Sequence, residues 1–160
     1  MTLTKGIGLF LIFLTPSVFG MISASKEKKA IAFLSSLPSF FLYIEDRIET
    51  LRLPLPEILS SFREEKLEKI GFLPVLRQSG WNAAIRFARP YCSEGTLSVL
   101  DSFGATVGKS EVAAEAENCR RHLKKLEKIA EKEIPERREK IRLIRTLGYT
   151  AGLLAVIFLL

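Results

Sequence analysis

Apolar residues recur along this chain at intervals of three and four, and at both extremities the polar residues between them drop away. In the last third, Val112, Ala116, Cys119, Leu123, Leu126 and Ala130 alternate by fours and threes. That spacing lays a single stripe along a helix and fits a bundle or coiled-coil seam. The seam weakens over residues 133–138, where Pro135 predicts a kink or break, and resumes at Ile141 and Ile144. Earlier, Leu34, Leu37, Phe41, Ile44, Ile48 and Leu51 form a second stripe, with Glu45, Asp46, Arg47 and Glu49 filling the opposite face. Pro38 falls inside that pattern. The best-formed helix is therefore predicted to start near Pro38, with Ser35 and Ser36 able to cap it and a shorter helical piece upstream.

The stretch between these stripes reads as shorter helices. Leu53-Pro54-Leu55-Pro56 stops one helix, and the next is predicted over 57–69, ended by Gly71. Residues 72–89 read as two short amphipathic pieces parted at Ser79-Gly80, with Trp81, Ile85 and Phe87 expected in the core. Ser93-Glu94 opens a helix carrying Leu97, Leu100, Phe103 and Val107, which stops at Gly108. Ser110 is the expected N-cap of the last helix, with Glu111 in its first turn to complement the helix dipole. No segment has a strand's period of two between hairpin turns. The prediction is an all-α chain: a bundle of about five or six helices flanked by two membrane segments.

Those flanks are residues 6–22 and the run from Leu147. The first is almost wholly apolar and near the length a bilayer span needs. It reads either as an anchor or as a signal-like segment with Ser23-Ala24-Ser25 at a cleavage region. Lys5 precedes it and Lys26, Lys28 and Lys29 follow; the heavier positive flank favours an anchor with the bundle on the cytoplasmic side. The second run reaches spanning length only if it begins near Ile141, with Arg142 and Arg145 snorkelling to the interface. The expected organisation is an anchor over 1–25, a bundle over 26–146 and a membrane segment over 147–160, continuous with the last long helix.

Net charge is +6, but the charges are mixed in sign along helix faces, as in Arg63-Glu64-Glu65-Lys66. That is the pattern of a solvated surface. No aromatic residues interleave with the basic ones, so nucleic acid is not an expected partner. Cys92 and Cys119 lie far apart, without a second ligand at metal spacing, and read as reduced residues of the interior. His122, alone among charged residues, reads as exposed. Gly104-Ala105-Thr106-Val107-Gly108-Lys109-Ser110 has only three residues between its glycines where a phosphate loop needs four, and a helix rather than a strand precedes it. It reads as a helix–glycine–helix corner. No catalytic constellation, cofactor site or metal site is expected. Gly148 and Gly152 form a G-x-x-x-G in an apolar segment, a spacing that lets two membrane helices approach and so allows a homo-oligomer.

Several of these stretches, in order, resemble the stage III sporulation protein AB family. Gly104 to Glu111 is similar to its G-x-x-L-G-x-S-D motif, with Val107 in place of leucine and Glu111 in place of aspartate. Glu115 stands where glutamine is common. Residues 41–57 resemble its acidic helix and the Pro-Leu restart. Leu147-Gly148 to Gly152-Leu153 is similar to its closing segment. The resemblance implies a non-enzymatic component of the stage III sporulation complex, with a domain like the cytoplasmic helical bundles of type II secretion platform proteins. It implies an outer forespore membrane location with the bundle in the mother-cell cytosol. The implied partners are the lipid bilayer, the complex's ring-forming subunits and its secretion-type ATPase, stage III sporulation protein AA. The rival reading is an exported or membrane-anchored helical interaction protein unrelated to sporulation.

Overall fold

The computed structural model describes residues 3–51, 54–108 and 111–159. They form six α-helices and one 3-10 turn, with no strand among the described residues. The helices are α1 (Leu3–Leu51), α2 (Leu55–Ser61), α3 (Glu65–Ile70), α4 (Phe72–Ala88), α5 (Glu94–Thr106) and α6 (Val112–Leu159), with the turn at Arg89–Tyr91. Two units divide the chain: a central unit, Lys29–Ile134, and a terminal unit made of Met1–Lys28 with Pro135–Leu160. Helices α1 and α6 each contribute to both.

The central unit is organised by phenylalanine. Phe33, Phe40, Phe41, Phe72 and Phe103 are fully buried. Their rings meet edge-on or tilted, as in Phe33–Phe72 at 5.0 Å and Phe41–Phe103 at 4.6 Å. Each such side chain stabilises the fold by about 1.5–3 kcal/mol through burial, before any gain from ring geometry. Leu123 and Leu126 of α6 lie in the same core cluster as Phe41, Ile44 and Ile48 of α1. Arg120 of α6 ties the same two helices at the surface, bonding Glu45 at 2.6 Å and Glu49 at 3.3 Å.

That density explains where the proline rule fails. Helix α1 does not restart at Pro38; it runs through it. Ser35 and Ser36 cap nothing, and instead their hydroxyls donate back to the Ala32 carbonyl at 3.0 and 2.9 Å. An internal proline costs about 3 kcal/mol, and Phe33, Leu34 and Leu37 on one side with Phe40, Phe41 and Ile44 on the other outweigh it by burial. Leu51, expected on the buried stripe, is exposed, as is Val112 at the start of α6. Both stand at helix ends, beyond the reach of the core.

The single helix expected over 57–69 is instead two. Phe62 is extended, at φ −64° and ψ 135°, because its ring is drawn into the core against Phe40 at 5.1 Å and Tyr43 at 5.0 Å. Its freed carbonyl accepts from Arg77 Nη2 at 2.7 Å. Glu64 then caps α3, its carboxylate accepting from the Leu67 amide at 2.8 Å. Gly71 closes α3 at φ 95°, in the left-handed conformation glycine adopts without a Cβ penalty. Helix α4 bends at Gly80, where φ is 76° and ψ −179°, as the Ser79-Gly80 signal predicts. Beyond the bend Ile85 is buried, while Trp81 and Phe87 are half-buried.

Helix α6 is not broken at Pro135, which stands inside it. Pro135 is exposed, so the carbonyl its missing N–H leaves free can face water. The division between the two units nevertheless falls at this residue.

Candidate functional site

Each unit carries a group of polar residues held in defined geometry. In the central unit the group centres on His122, which is buried rather than exposed. Its Nδ1–H donates to the Asn118 carbonyl at 2.7 Å, and its Nε2 meets the Ser102 hydroxyl at 2.8 Å. The ring lies edge-on to Phe103 at 5.4 Å. The Asn118 amide donates to the Thr106 hydroxyl at 3.0 Å, completing a polar seam between α5 and α6. A histidine between charged neighbours in sequence is thus carried inside because it sits beside the Cys119–Leu126 stripe, and both ring nitrogens find partners. Cys119 is buried and unbridged. Burial pushes the Cys119 thiol up to about 12, with Glu115 and Glu45 adding to the effect.

The glycines near this seam have separate tasks. Gly104 lies inside α5, not at the corner. A Cβ there would stand 2.2 Å from Trp81 Cδ1 and Nε1, closer than atoms can approach. The indole lies flat against Phe40, with centroids 6.1 Å apart, and its N–H donates to the Leu100 carbonyl at 3.1 Å. Gly108 makes the corner, with φ 77° and open space around it. Glu111 stands one residue before α6, and its carbonyl accepts from the Glu115 amide at 2.9 Å. Ser110, the expected cap, lies outside the described residues.

The terminal unit is built differently. An added Cβ at Gly20 would meet the Ile144 carbonyl oxygen at 3.4 Å and Gly148 Cα at 3.8 Å. Gly148 therefore faces a glycine of its own chain, and Gly152, one turn on, is buried. Small residues at such a crossing let two backbones approach closely. Towards the central unit's boundary, Glu27 accepts from Arg137 Nη1 at 2.7 Å and pairs with Lys140. Burial works to raise the Glu27 carboxyl, but the hydrogen bonds and charges of Lys140 and Arg137 outweigh it and hold the group below the usual carboxylate range.

Part of the outer surface of this unit is apolar. Met21, Ile22, Leu147, Tyr149, Leu153, Leu154 and Ile157 are all more than half exposed. Among the described residues no helix is long and apolar enough to cross a membrane. The side chains of residues 1–17, 19, 155–156 and 158–160 lie outside the described ones, and they include much of both expected anchors.

Sequence reasoning singled out Gly148 and Gly152 but missed Gly20 and Glu27. The signals were one glycine among three within an apolar run and a lone acid within Lys26-Glu27-Lys28-Lys29. Neither is informative until the opposite helix is in place.

The family model described as Stage III sporulation protein AB matches residues 77–160, a little over half of the chain. The match takes in α5, α6, the glycine corner and the Gly148–Gly152 pair. No curated protein and no solved structure matches the chain.

Proposed function

Because this chain belongs to the stage III sporulation protein AB family, and so has a sporulation-related role, we propose that it is a membrane-tethered platform of the stage III sporulation complex. In this reading it does no chemistry of its own. The terminal unit holds it in the outer forespore membrane, and the central unit stands in the mother-cell cytosol. There the central unit offers helical surfaces to the complex's secretion-type ATPase, stage III sporulation protein AA, and to its ring-forming subunits. The assembly so nucleated would join mother cell and forespore. The likeness to the cytoplasmic bundles of type II secretion platform proteins belongs to the same proposal and is supported by the all-helical layout. Residues 1–25 and 147–160 are the proposed membrane segments, with the bundle between them.

The observation that carries this reading is the set of bulky apolar side chains left on the outside of the terminal unit, whereas the central unit buries most of its own. Water is the wrong solvent for that surface, and exposed apolar area of this extent marks a membrane or protein contact. The heavier basic flank after residue 22 supports the orientation.

The test is fractionation and co-purification from sporulating cells. The full chain should stay in the membrane pellet after carbonate extraction and bring other complex subunits with it. In sealed inside-out vesicles, protease should cleave the central unit. Recovery in the soluble fraction, or a central unit protected in those vesicles, would overturn the tethering or the orientation respectively.

A further inference from the structure

The five basic residues between 137 and 145 are not equivalent. Arg137 and Lys140 converge on Glu27. Arg138, Arg142 and Arg145, spaced by four and three, share another face of α6, all exposed. Among the described residues, no carboxylate pairs with any of these three guanidinium groups. Glu136 projects from the opposite side, at about 100° per residue, while Glu139 stands three residues from Arg142 and flanks that face. Two cations thus share Glu27 on one side of α6, and three exposed guanidinium groups stand on another.

On the charged side, Gly20, Met21, Arg145, Gly148 and Tyr149 line a shallow notch. The two glycines leave the space, Arg145 stands at its rim and Tyr149 walls it. One turn beyond Tyr149, Leu153 continues the exposed surface as hydrocarbon, with Ile157 a turn further on. From Arg145 to Leu153 the helix rises about 12 Å. The order along this face is therefore cation, aromatic hydroxyl, then apolar side chains, which is the order of a phospholipid from phosphate to acyl chain.

We propose that this notch binds the phosphate-bearing headgroup of an anionic phospholipid, with Arg142 and Arg145 on the phosphate and Tyr149 at the glycerol level. Arginine suits the role because its planar fork can bond two phosphate oxygens at once. Tyrosine suits a depth where one end of the ring is wet and the other is not. The inference rests on the tethering proposed above, but it asks for more: a chosen lipid rather than any bilayer.

The full-length protein in mild detergent would be titrated with fluorescently labelled phosphatidylglycerol and, separately, labelled phosphatidylcholine. Phosphatidylglycerol should bind at least tenfold more tightly. The double variant Arg142→Gln/Arg145→Gln should lose that preference and leave phosphatidylcholine binding unchanged. The double variant Lys124→Gln/Lys128→Gln removes equal charge from the central unit and should keep the preference. Millimolar inorganic phosphate should not displace the lipid probe. Equal binding of the two lipids would overturn the proposal, as would equal losses in the two double variants. Displacement by phosphate would reassign the notch to free anions. Carbonate extraction of the same arginine variant separates the two readings: the protein should stay in the pellet even when lipid choice is lost, and its release would count against tethering instead.

Discussion

The central and terminal units use apolar residues in opposite ways. The central unit turns five phenylalanines fully inward and leaves most of its charge outside, so water drives its assembly. The terminal unit turns small residues inward, pairs Glu27 with Arg137 and Lys140 nearer its surface, and leaves bulky aliphatic side chains outside. Its contacts are close backbone approach and charge pairing, the kinds that keep their strength when the surroundings are hydrocarbon. The contrast teaches that hydrophobicity alone does not identify a core. Leu37 and Leu153 are the same residue type, one fully buried and the other more than half exposed.

The comparison can be broken most severely in the central unit. Leu126→Ala should cost about 2–5 kcal/mol, because a fully buried leucine leaves a cavity the aromatic core cannot easily fill. Thermal unfolding of the full chain checks this, and a negligible change would mean α6 buries a different face. Leu153→Ala, on the outside of the terminal unit, is the paired control and should leave that melt unaltered.

Gly104→Ala comes next, at about 1–3 kcal/mol, the usual cost of forcing atoms into a packed core. It also has an optical readout. Trp81, the chain's one tryptophan, must move off the new methyl and lose its bond to the Leu100 carbonyl, shifting its emission. An unshifted spectrum with unchanged stability would show that the indole does not rest on this residue.

Glu27→Gln should have a smaller effect, on the order of 1 kcal/mol, since exposed and half-exposed ion pairs contribute little. Its pH signature sharpens the contrast between units. The folded carboxyl is held below its unfolded value, so the stabilisation is complete above the ordinary carboxylate range. It is lost as pH falls through the lowered folded value. Melting curves of wild type and Glu27→Gln should therefore converge on acidification; a constant gap at every pH would exclude this pair as the source.

The smallest effect is a silence. With its thiol pushed up to about 12 and its side chain buried, Cys119 should resist maleimide at pH 8 in the native protein and react once the chain is unfolded. Rapid native labelling at Cys119, located by peptide mapping, would place the α6 seam at the surface.

Much of this architecture was legible in residue order. The spacing of Ala116, Cys119, Leu123, Leu126 and Ala130 marked the buried stripe, and all five are buried. Gly71 and Gly80 marked their own positive φ angles. Misreadings arose where tertiary forces override local rules. Pro38 is a breaker by propensity, yet rings on both sides of it hold the helix together. The break at Phe62 has no local signal; it exists because Phe40 and Tyr43 wait across the core. His122 looked solvated because its sequence neighbours are charged, while its helical neighbours at three and four residues are Cys119, Asn118 and Leu126. In the candidate site, the Gly148–Gly152 spacing was visible, but its partner Gly20 lies in a segment more than a hundred residues away in sequence. No periodicity links the two.

That last pairing has a consequence for stoichiometry. A glycine face in an apolar helix commonly serves as a meeting place for twin molecules, and here Gly148 has already been claimed by the chain's own opening helix. A second copy arriving at that spot would have to evict Gly20 first. A pairing of two such molecules through Gly148 would therefore compete with Gly20 for the same stretch of backbone.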